Sequence, residues 1–258
     1  TKSTAMNRII KLGYCTLVAC VMLCFLACNQ KKDSEFKSIF NGEDLSGWEG
    51  DATYWSVQNA ILVGEVTAKT ILKRNSFIIY TKEQPSDCEL KLEYRRSKLG
   101  NSGINYRSEI SSKFPFALKG YQCDLDGRNK YTGQNYEEKK RTTLAYMGEK
   151  VTIPSMPDRI SKKNLRQNVL KNCWQTREVL ESFGEKNVLK SHIKDADWNK
   201  VHLISKGNHL QHYINGVLMS DVTDLDTVNS ALKGFMGVQV HVGPPMRIEY
   251  KNIRLKHL

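Results

Sequence analysis

Apolar residues recur at every second position in this chain, run after short run, and turn signals separate the runs. The clearest case is Cys88-Glu89-Leu90-Lys91-Leu92-Glu93-Tyr94, where the large apolar side chains take one parity and the charges the other. Successive side chains of a strand point to opposite faces, so this segment has one buried and one wet face. Comparable β-like runs fall at 36–40, 55–57, 60–63, 70–72 and 77–80, then at 201–206, 209–214, 217–219, 234–242 and 246–258. Asn215-Gly216 between two apolar runs is a strong hairpin signal, because both residues tolerate positive φ. In the last run Ile248 and Tyr250 share one parity and Ile253 and Leu255 the other, which predicts a bulge near Lys251-Asn252. Many short strands at regular spacing point to an all-β sandwich or barrel. Helical spacing is confined to 164–183, where Leu165, Val169, Leu170, Val179 and Leu180 recur, and it predicts an insertion packed on one edge.

The first 28 residues stand apart. Asn7-Arg8-Ile9-Ile10-Lys11 is a basic stub followed by an uncharged run over 12–27, and polar Asn29-Gln30-Lys31-Lys32-Asp33 comes directly after Cys28. This is the form of a secretory signal. The uncharged run is shorter than the about 20 residues that a membrane-spanning helix needs. By resemblance to the lipobox pattern Cys28 is read as the lipidated first residue of a bacterial lipoprotein, ahead of the competing Leu17-Val18-Ala19-Cys20. The organisation expected is a signal peptide over 1–28, a tether over 29–35, and a single domain over 36–258 with an insertion at about 150–195. Localisation follows as an exported outer-membrane or periplasmic lipoprotein of a Gram-negative bacterium, held to the membrane by its lipid alone.

Outside that leader only Cys88, Cys123 and Cys173 remain. They lack zinc spacing and are read as buried thiols, which leaves the domain to rely on its apolar core. The net charge of +12 is concentrated in Lys139-Lys140-Arg141 and in 159–171. No nucleic-acid motif or aromatic interleaving accompanies it, so it is read as solvated loop rather than a nucleic-acid surface.

Signatures of nucleotide binding, zinc proteases and serine hydrolases are missing, since Gly100-Asn101-Ser102-Gly103 falls short of a nucleophile elbow. What stands out is a polar row inside a strand-rich region. Alternation puts Asn105, Arg107 and Glu109 on one face, with Ile104 and Tyr106 on the other. In the next run Gln122 and Asp124 oppose Tyr121, Cys123 and Leu125, and in a later one Gln239 and His241 oppose Val238, Val240 and Val242. With Glu138, Arg141, His212 and Tyr131, these groups form a mixture suited to a polyhydroxylated ligand. Hydroxyls donate to carboxylates and accept from guanidinium and amide N–H groups. Asp124 and Asp126 also admit a calcium-binding turn, although the regular loop spacing is absent.

The set Asn101-Ser102-Gly103-Ile104, Tyr106-Arg107-Ser108-Glu109, Gly120-Tyr121-Gln122-Cys123-Asp124, Tyr131-Thr132-Gly133, Trp198-Asn199, Asn215-Gly216, Gly237-Val238-Gln239-Val240-His241 and Asn252-Ile253-Arg254-Leu255-Lys256 resembles the 3-keto-disaccharide hydrolase family, also described as 3-keto-glucoside 1,2-lyase and 3-keto-2-hydroxy-glucal hydratase. The resemblance runs from about residue 36 to the end of the chain. It implies a concanavalin A-like jelly-roll β-sandwich of two antiparallel sheets with a concave carbohydrate face, and a short, partly helical insertion. It also implies a carbohydrate-active enzyme that cleaves 3-keto-glucosides or disaccharides, by hydrolysis or by elimination across C1–C2 followed by hydration.

Such chemistry needs a base for the C2 proton and a cation or donor at the enolate oxygen. Residue chemistry casts Glu109 or Asp124 as base, Arg107 or a bound divalent cation as enolate stabiliser, and His241 as acid. Asn105, Gln122, Tyr131, Glu138, Arg141, His212 and Gln239 are the expected substrate contacts. Two alternatives remain at this point. A lectin-like surface lipoprotein would use the same residues without a base. An ordinary glycosidase of this fold would carry a Glu-x-Asp-x-Glu-like strand, which Gln122-Cys123-Asp124-Leu125-Asp126 lacks.

Overall fold

The structure is a computed structural model that describes residues 35–156 and 177–258. The signal and lipidation site expected over 1–28 and the tether expected over 29–35, save residue 35, therefore lie outside the described residues, as do Cys173 and most of the expected helix. Residues Ser38–Leu258 form one compact unit.

Its strands are, in chain order, β1 (Lys37–Ser38), β2 (Trp48–Glu49), β3 (Trp55–Gln58), β4 (Ile61–Val66), β5 (Ser76–Tyr80), β6 (Cys88–Arg96), β7 (Asn101–Ile110), β8 (Leu118–Asp126), β9 (Asn135–Glu138), β10 (Thr142–Ala145), β11 (Glu149–Ile153), β12 (Glu178–Ser182), β13 (Asn199–Lys206), β14 (His209–Ile214), β15 (Val217–Asp224), β16 (Phe235–Val240) and β17 (Met246–His257). Among the described residues there is one helix, α1 (Lys186–Ser191), between β12 and β13. A ten-stranded sheet runs β12-β11-β15-β14-β13-β6-β17-β4-β3, counting β1, which lies off this path. A seven-stranded sheet runs β10-β9-β8-β7-β16-β5-β2. Pairing is antiparallel apart from β11 on β15, so the molecule is a concanavalin A-like jelly-roll sandwich.

The alternating runs form the interface between the sheets. Leu90, Leu92 and Tyr94 of β6 and Val201 and Leu203 of β13 face Ile104 and Tyr106 of β7 and Tyr121, Cys123 and Leu125 of β8 in one buried cluster. The outer face of β6 keeps its charges. Cys88 and Cys123 are buried free thiols. The Asn215-Gly216 hairpin turn forms with both residues at positive φ. The predicted bulge in β17 also forms, with its register shift between Lys251 and Arg254 and Asn252 at φ 53°.

Three expectations need correction. Residues 70–72 form a bend and coil rather than a strand. Residues 36–40 contribute only the two-residue β1. Residues Glu178–Ser182, expected to be helical, form the edge strand β12, because pairing with β11 outweighs a weak helical period. Among the described residues of the insertion, the helix is α1.

Candidate functional site on the outer face of the seven-stranded sheet

Asn105 of β7 stands opposite Gln122 of β8 on one side and Gly237 of β16 on the other, and Gly103 stands opposite Asp124. Because Ile104, Tyr121 and Cys123 point into the core, Asn105, Gln122, Asp124 and Gln239 point out together. Glu138 joins them beside Gly120. The remaining outer face toward β5 is apolar, with Phe77, Ile79, Ala117 and Leu118 in a second buried cluster. Lys139, at the end of β9, reaches within 5.8 Å of the Phe77 ring on β5. Three strands at about 4.8 Å spacing separate β9 from β5, so the lysine side chain lies across this face.

The polar groups are wired into a ribbon. Gln239 Nε2 donates to Gln122 Oε1 at 3.3 Å, Gln122 Nε2 donates to Asp124 Oδ1 at 2.5 Å, and Gln134 Nε2 donates to the other oxygen, Asp124 Oδ2. Glycine makes room for it: a Cβ on Gly103 would stand 2.3 Å from Gln122 Cδ. Gly133, at φ 84°, turns the chain so that Gln134 comes over Asp124. Burial pushes the Asp124 carboxyl up to about 7; the two amide donors pull it down, and the carboxylates of Glu138 and Asp126 push it further up. The amide oxygens of Asn105, Gln134 and Gln239 are buried without a protein partner. Such groups are acceptors that a hydroxyl could satisfy. Lys139 Nζ pairs with Glu138 Oε1 at 2.7 Å, which places an ammonium on the same face.

Several sequence-predicted site residues lie elsewhere. A one-residue bulge in β7 shifts the register between Tyr106 and Glu109, and a one-residue slip moves side chains to the opposite face. Glu109 therefore pairs with Lys119 at 3.0 Å, on the parity of Tyr121 rather than of Asn105. It lines a strand-end cleft of about 440 Å³ with Lys119, Lys139 and Lys140. Arg107 sits in the bulge at φ 44°. Its guanidinium donates to the Ser86 carbonyl at 3.1 Å, the Gly207 carbonyl at 2.6 Å and Asp87 Oδ1 at 2.9 Å, tying the two sheets together. Neither residue joins the Asp124 ribbon.

Arg141 and His212 are fully buried between the sheets. Arg141 Nε donates to Glu137 Oε2 at 2.5 Å, and its Nη atoms donate to Asp224 Oδ2 at 2.6 Å and Asp226 Oδ2 at 3.2 Å. This ion cluster fastens the β9–β10 turn to the end of β15. His212 Nε2 lies 2.9 Å from the Tyr106 hydroxyl and Nδ1 lies 3.3 Å from the Gly133 carbonyl. Burial lowers its pKa to about 4, so the ring is neutral at ordinary pH. Both are placed to hold the fold rather than to meet a ligand.

His241 follows β16 directly. Its Nδ1 lies 2.6 Å from the Val242 carbonyl, an arrangement in which Nδ1 carries the proton and Nε2 is left to the outer side. Continuing the β16–β7 register puts His241 beside Asn101, one step beyond the row of Gln239, Gly103 and Asp124. Tyr131 lies on the loop after β8 and is 37% exposed. Gln134 and Lys139 were not singled out from the sequence. Gln134 follows Tyr131-Thr132-Gly133 directly, and the positive-φ Gly133 was the available signal.

A divalent cation such as Ca²⁺ would need several free oxygen donors converging at one point. Both oxygens of Asp124 are taken by amide donors, the Asp126 carboxylate accepts backbone N–H groups, and among the described residues no three His, Cys, Asp or Glu side chains converge. The donors present do not fit such an ion.

The outer face of the seven-stranded sheet thus carries amides, a carboxylate and an ammonium side by side. Residues 35–256 match the 3-keto-alpha-glucoside-1,2-lyase-like domain, and the chain belongs to that family. Among solved structures it is similar to a putative glycosyl hydrolase from Parabacteroides distasonis, at 16% identity and a TM-score of 0.52, with 89% of this chain and 96% of that chain covered. A second P. distasonis structure with the same description aligns at 16% identity and a TM-score of 0.53, over 86% of this chain and 99% of that chain. At that identity the likeness is one of fold. No curated protein matches the sequence.

Proposed function

We propose that this protein cleaves 3-keto-α-glucosides by proton abstraction at C2 and elimination at C1, with Asp124 as the base. The observation that carries the reading is the setting of Asp124 in the ribbon of Gln122, Gln134 and Gln239, with its carboxyl pushed up to about 7. A base for a weakly acidic C–H works best with a pKa near the working pH. A carboxylate at its ordinary value would be too weak, and an unoxidised glucoside has no acidic C2 hydrogen to offer.

In the proposed reaction the Asp124 carboxylate takes the C2 proton, and the C–H electron pair forms C2=C3 while the ketone oxygen becomes an enolate. N–H donors on the face, the ribbon amides and Lys139, hold that charge. Collapse of the enolate restores the C3 ketone, forms C1=C2 and breaks the bond from C1 to the leaving oxygen, which takes a proton from Nε2 of His241 in its doubly protonated form. Water then adds across C1=C2. A lectin would need the same amides but no carboxyl of raised pKa, so the Asp124 setting favours the enzyme.

The test is to incubate purified protein with a 3-keto-α-glucoside and with its unoxidised parent. Turnover of the keto form alone is expected; equal turnover of the parent glycoside would reject the reading. Export as a lipoprotein is proposed separately, on the pattern of the leader. Cells expressing the full chain should incorporate labelled fatty acid, and Cys28→Ser should abolish it; label retained in the variant would reject Cys28 as the anchor.

A further inference from the structure

Phe77 of β5 stands opposite Gln239 of β16, and continuing the β16–β7 register carries the same row to Gly103 and Asp124. The segment between β7 and β8 comes down at the far end of this row. The Phe116 carbonyl accepts the Phe77 N–H at 2.9 Å, and Phe114 packs against the cluster of Phe77, Ile79, Ala117 and Leu118. Two cations share the Phe114 ring. The Arg74 guanidinium carbon lies 4.5 Å and Lys113 Nζ 5.4 Å from its centre. We propose that Arg74 and Lys113 form an oxyanion site at the β5 rim of this face, and that it takes a carboxylate or a sulfate ester carried on C6 of the sugar. The inference rests on the reading of Asp124 as the base at C2.

The charge at this rim is unmatched. Residues 66–82 carry Lys69, Lys73, Arg74 and Lys82, residues 110–123 carry Lys113 and Lys119, and neither stretch holds an Asp or Glu. Lysines elsewhere along the sheet have partners: Lys119 pairs with Glu109 at 3.0 Å, Lys139 with Glu138 at 2.7 Å and Lys140 with Glu137 at 3.2 Å. Among the described residues Arg74 and Lys113 have neither a carboxylate nor a hydrogen-bond acceptor, and their contacts are with the Phe114 ring. Stacking fixes the guanidinium plane and leaves its N–H fork unspent, which is the geometry that meets an oxyanion with two parallel bonds. Two like charges on one ring also repel each other, and an anion between them relieves that repulsion.

Ring geometry says where on a sugar the anion sits. With C2 at Asp124, C1 turns to His241 on one flank and the C3 oxygen to Gln122 and Lys139 on the other. C5 is the ring atom opposite C2, so it and its C6 substituent point along the row toward β5. Three strand steps of about 4.8 Å put Phe77 about 14 Å from Asp124, which leaves room for the ring, its C6 group and the side chains of the rim. The loop that carries Arg74 is held in place from the same side, because Asn75 Oδ1 accepts the Val242 N–H at 2.9 Å, next to His241.

The test measures binding by calorimetry at low ionic strength for methyl α-glucoside, methyl α-glucuronide, methyl α-glucoside 6-sulfate and sodium sulfate, with wild type and the double variant Arg74→Gln/Lys113→Gln. At least one of the two acidic glycosides is expected to bind wild type about tenfold more tightly than methyl α-glucoside, a difference of about 1.4 kcal/mol, and whichever is preferred separates carboxylate from sulfate. The double variant should bring that ratio close to one with an unchanged melting temperature and an unchanged Kd for methyl α-glucoside. A wild-type ratio near one for both acidic glycosides, no binding of any sugar, a ratio that survives the double substitution, or free sulfate binding as tightly as the preferred glycoside would overturn the site. An intact ratio without turnover of a 3-keto-glucoside would instead reject the Asp124 reaction and leave the oxyanion site standing, whereas turnover with a ratio near one would reject the oxyanion site alone.

Discussion

The side chain of Gln122 lies across the bare Cα of Gly103 on the neighbouring strand, and only from there does its amide reach Asp124. Gly103 is thus part of the site although it has no functional group. Gly103→Ala would drive its methyl into Gln122 and displace the amide from Asp124. A misplacement of about 1 Å can cost about 100-fold in rate, so turnover of a 3-keto-glucoside should fall by that order while the protein remains folded by circular dichroism. Wild-type turnover in this variant would show that the ribbon does not position Asp124.

The raised carboxyl of Asp124 sets a pH dependence in two observables. As a base it must be ionised, so kcat/KM should rise with pH through about 7. Stability should move the other way. Between the unfolded value near 3.9 and the folded value of about 7 the native state holds the extra proton, so this group makes unfolding easier as pH rises across that window. Asp124→Asn removes both effects: it should lower turnover by about 10³-fold and flatten that part of the stability curve. A variant whose melting temperature keeps the wild-type slope from pH 4 to 7 would contradict the assignment.

His212 gives the opposite sign within the same window. Its folded pKa of about 4 lies below the ordinary value of 6.5, so the unfolded chain binds the extra proton between those values and stability rises with pH there. His212→Gln should reduce acid sensitivity between pH 4 and 6.5 without shifting the pH profile of kcat/KM. A shifted activity profile would place this ring in the reaction after all.

Arg141 is predicted to matter for folding and not for recognition. Replacing it by Met would leave Glu137, Asp224 and Asp226 buried without their guanidinium, and breaking a buried ion cluster this way costs about 3–5 kcal/mol. Denaturant unfolding should show that loss. Glu109→Gln, by contrast, breaks only an exposed pair worth at most about 1 kcal/mol, and turnover should stay at the wild-type level. A large fall in rate for Glu109→Gln with unchanged stability would return Glu109 to the active site.

Much of the sandwich was legible because its signals are local. The alternation over β6, the Asn-Gly hairpin and the parity change that marks the β17 bulge each need only neighbouring residues. Gln122, Asp124 and Gln239 fell on one face for the same reason. The β7 bulge was not legible, because its causes are distant in sequence: a Cβ on Gly234 would stand 2.6 Å from the Ser108 nitrogen, and Arg107 is held by Asp87 and Gly207. Without that bulge Glu109 would share the face of Asn105, as alternation predicts. Arg141 and His212 illustrate a related limit. Sequence shows a polar residue on a strand or turn, but Asp224 and the Gly133 carbonyl, which occupy those side chains, become neighbours only when the sheets close.

The central claim is that Asp124 removes the C2 proton of a 3-keto-α-glucoside. Exchange of that hydrogen in D2O, followed by proton NMR, tests it most directly. Wild-type protein should exchange or eliminate the C2 hydrogen far faster than buffer, and Asp124→Asn, folded and at equal concentration, should reduce the rate to near background. Unchanged C2 exchange in Asp124→Asn would contradict the account.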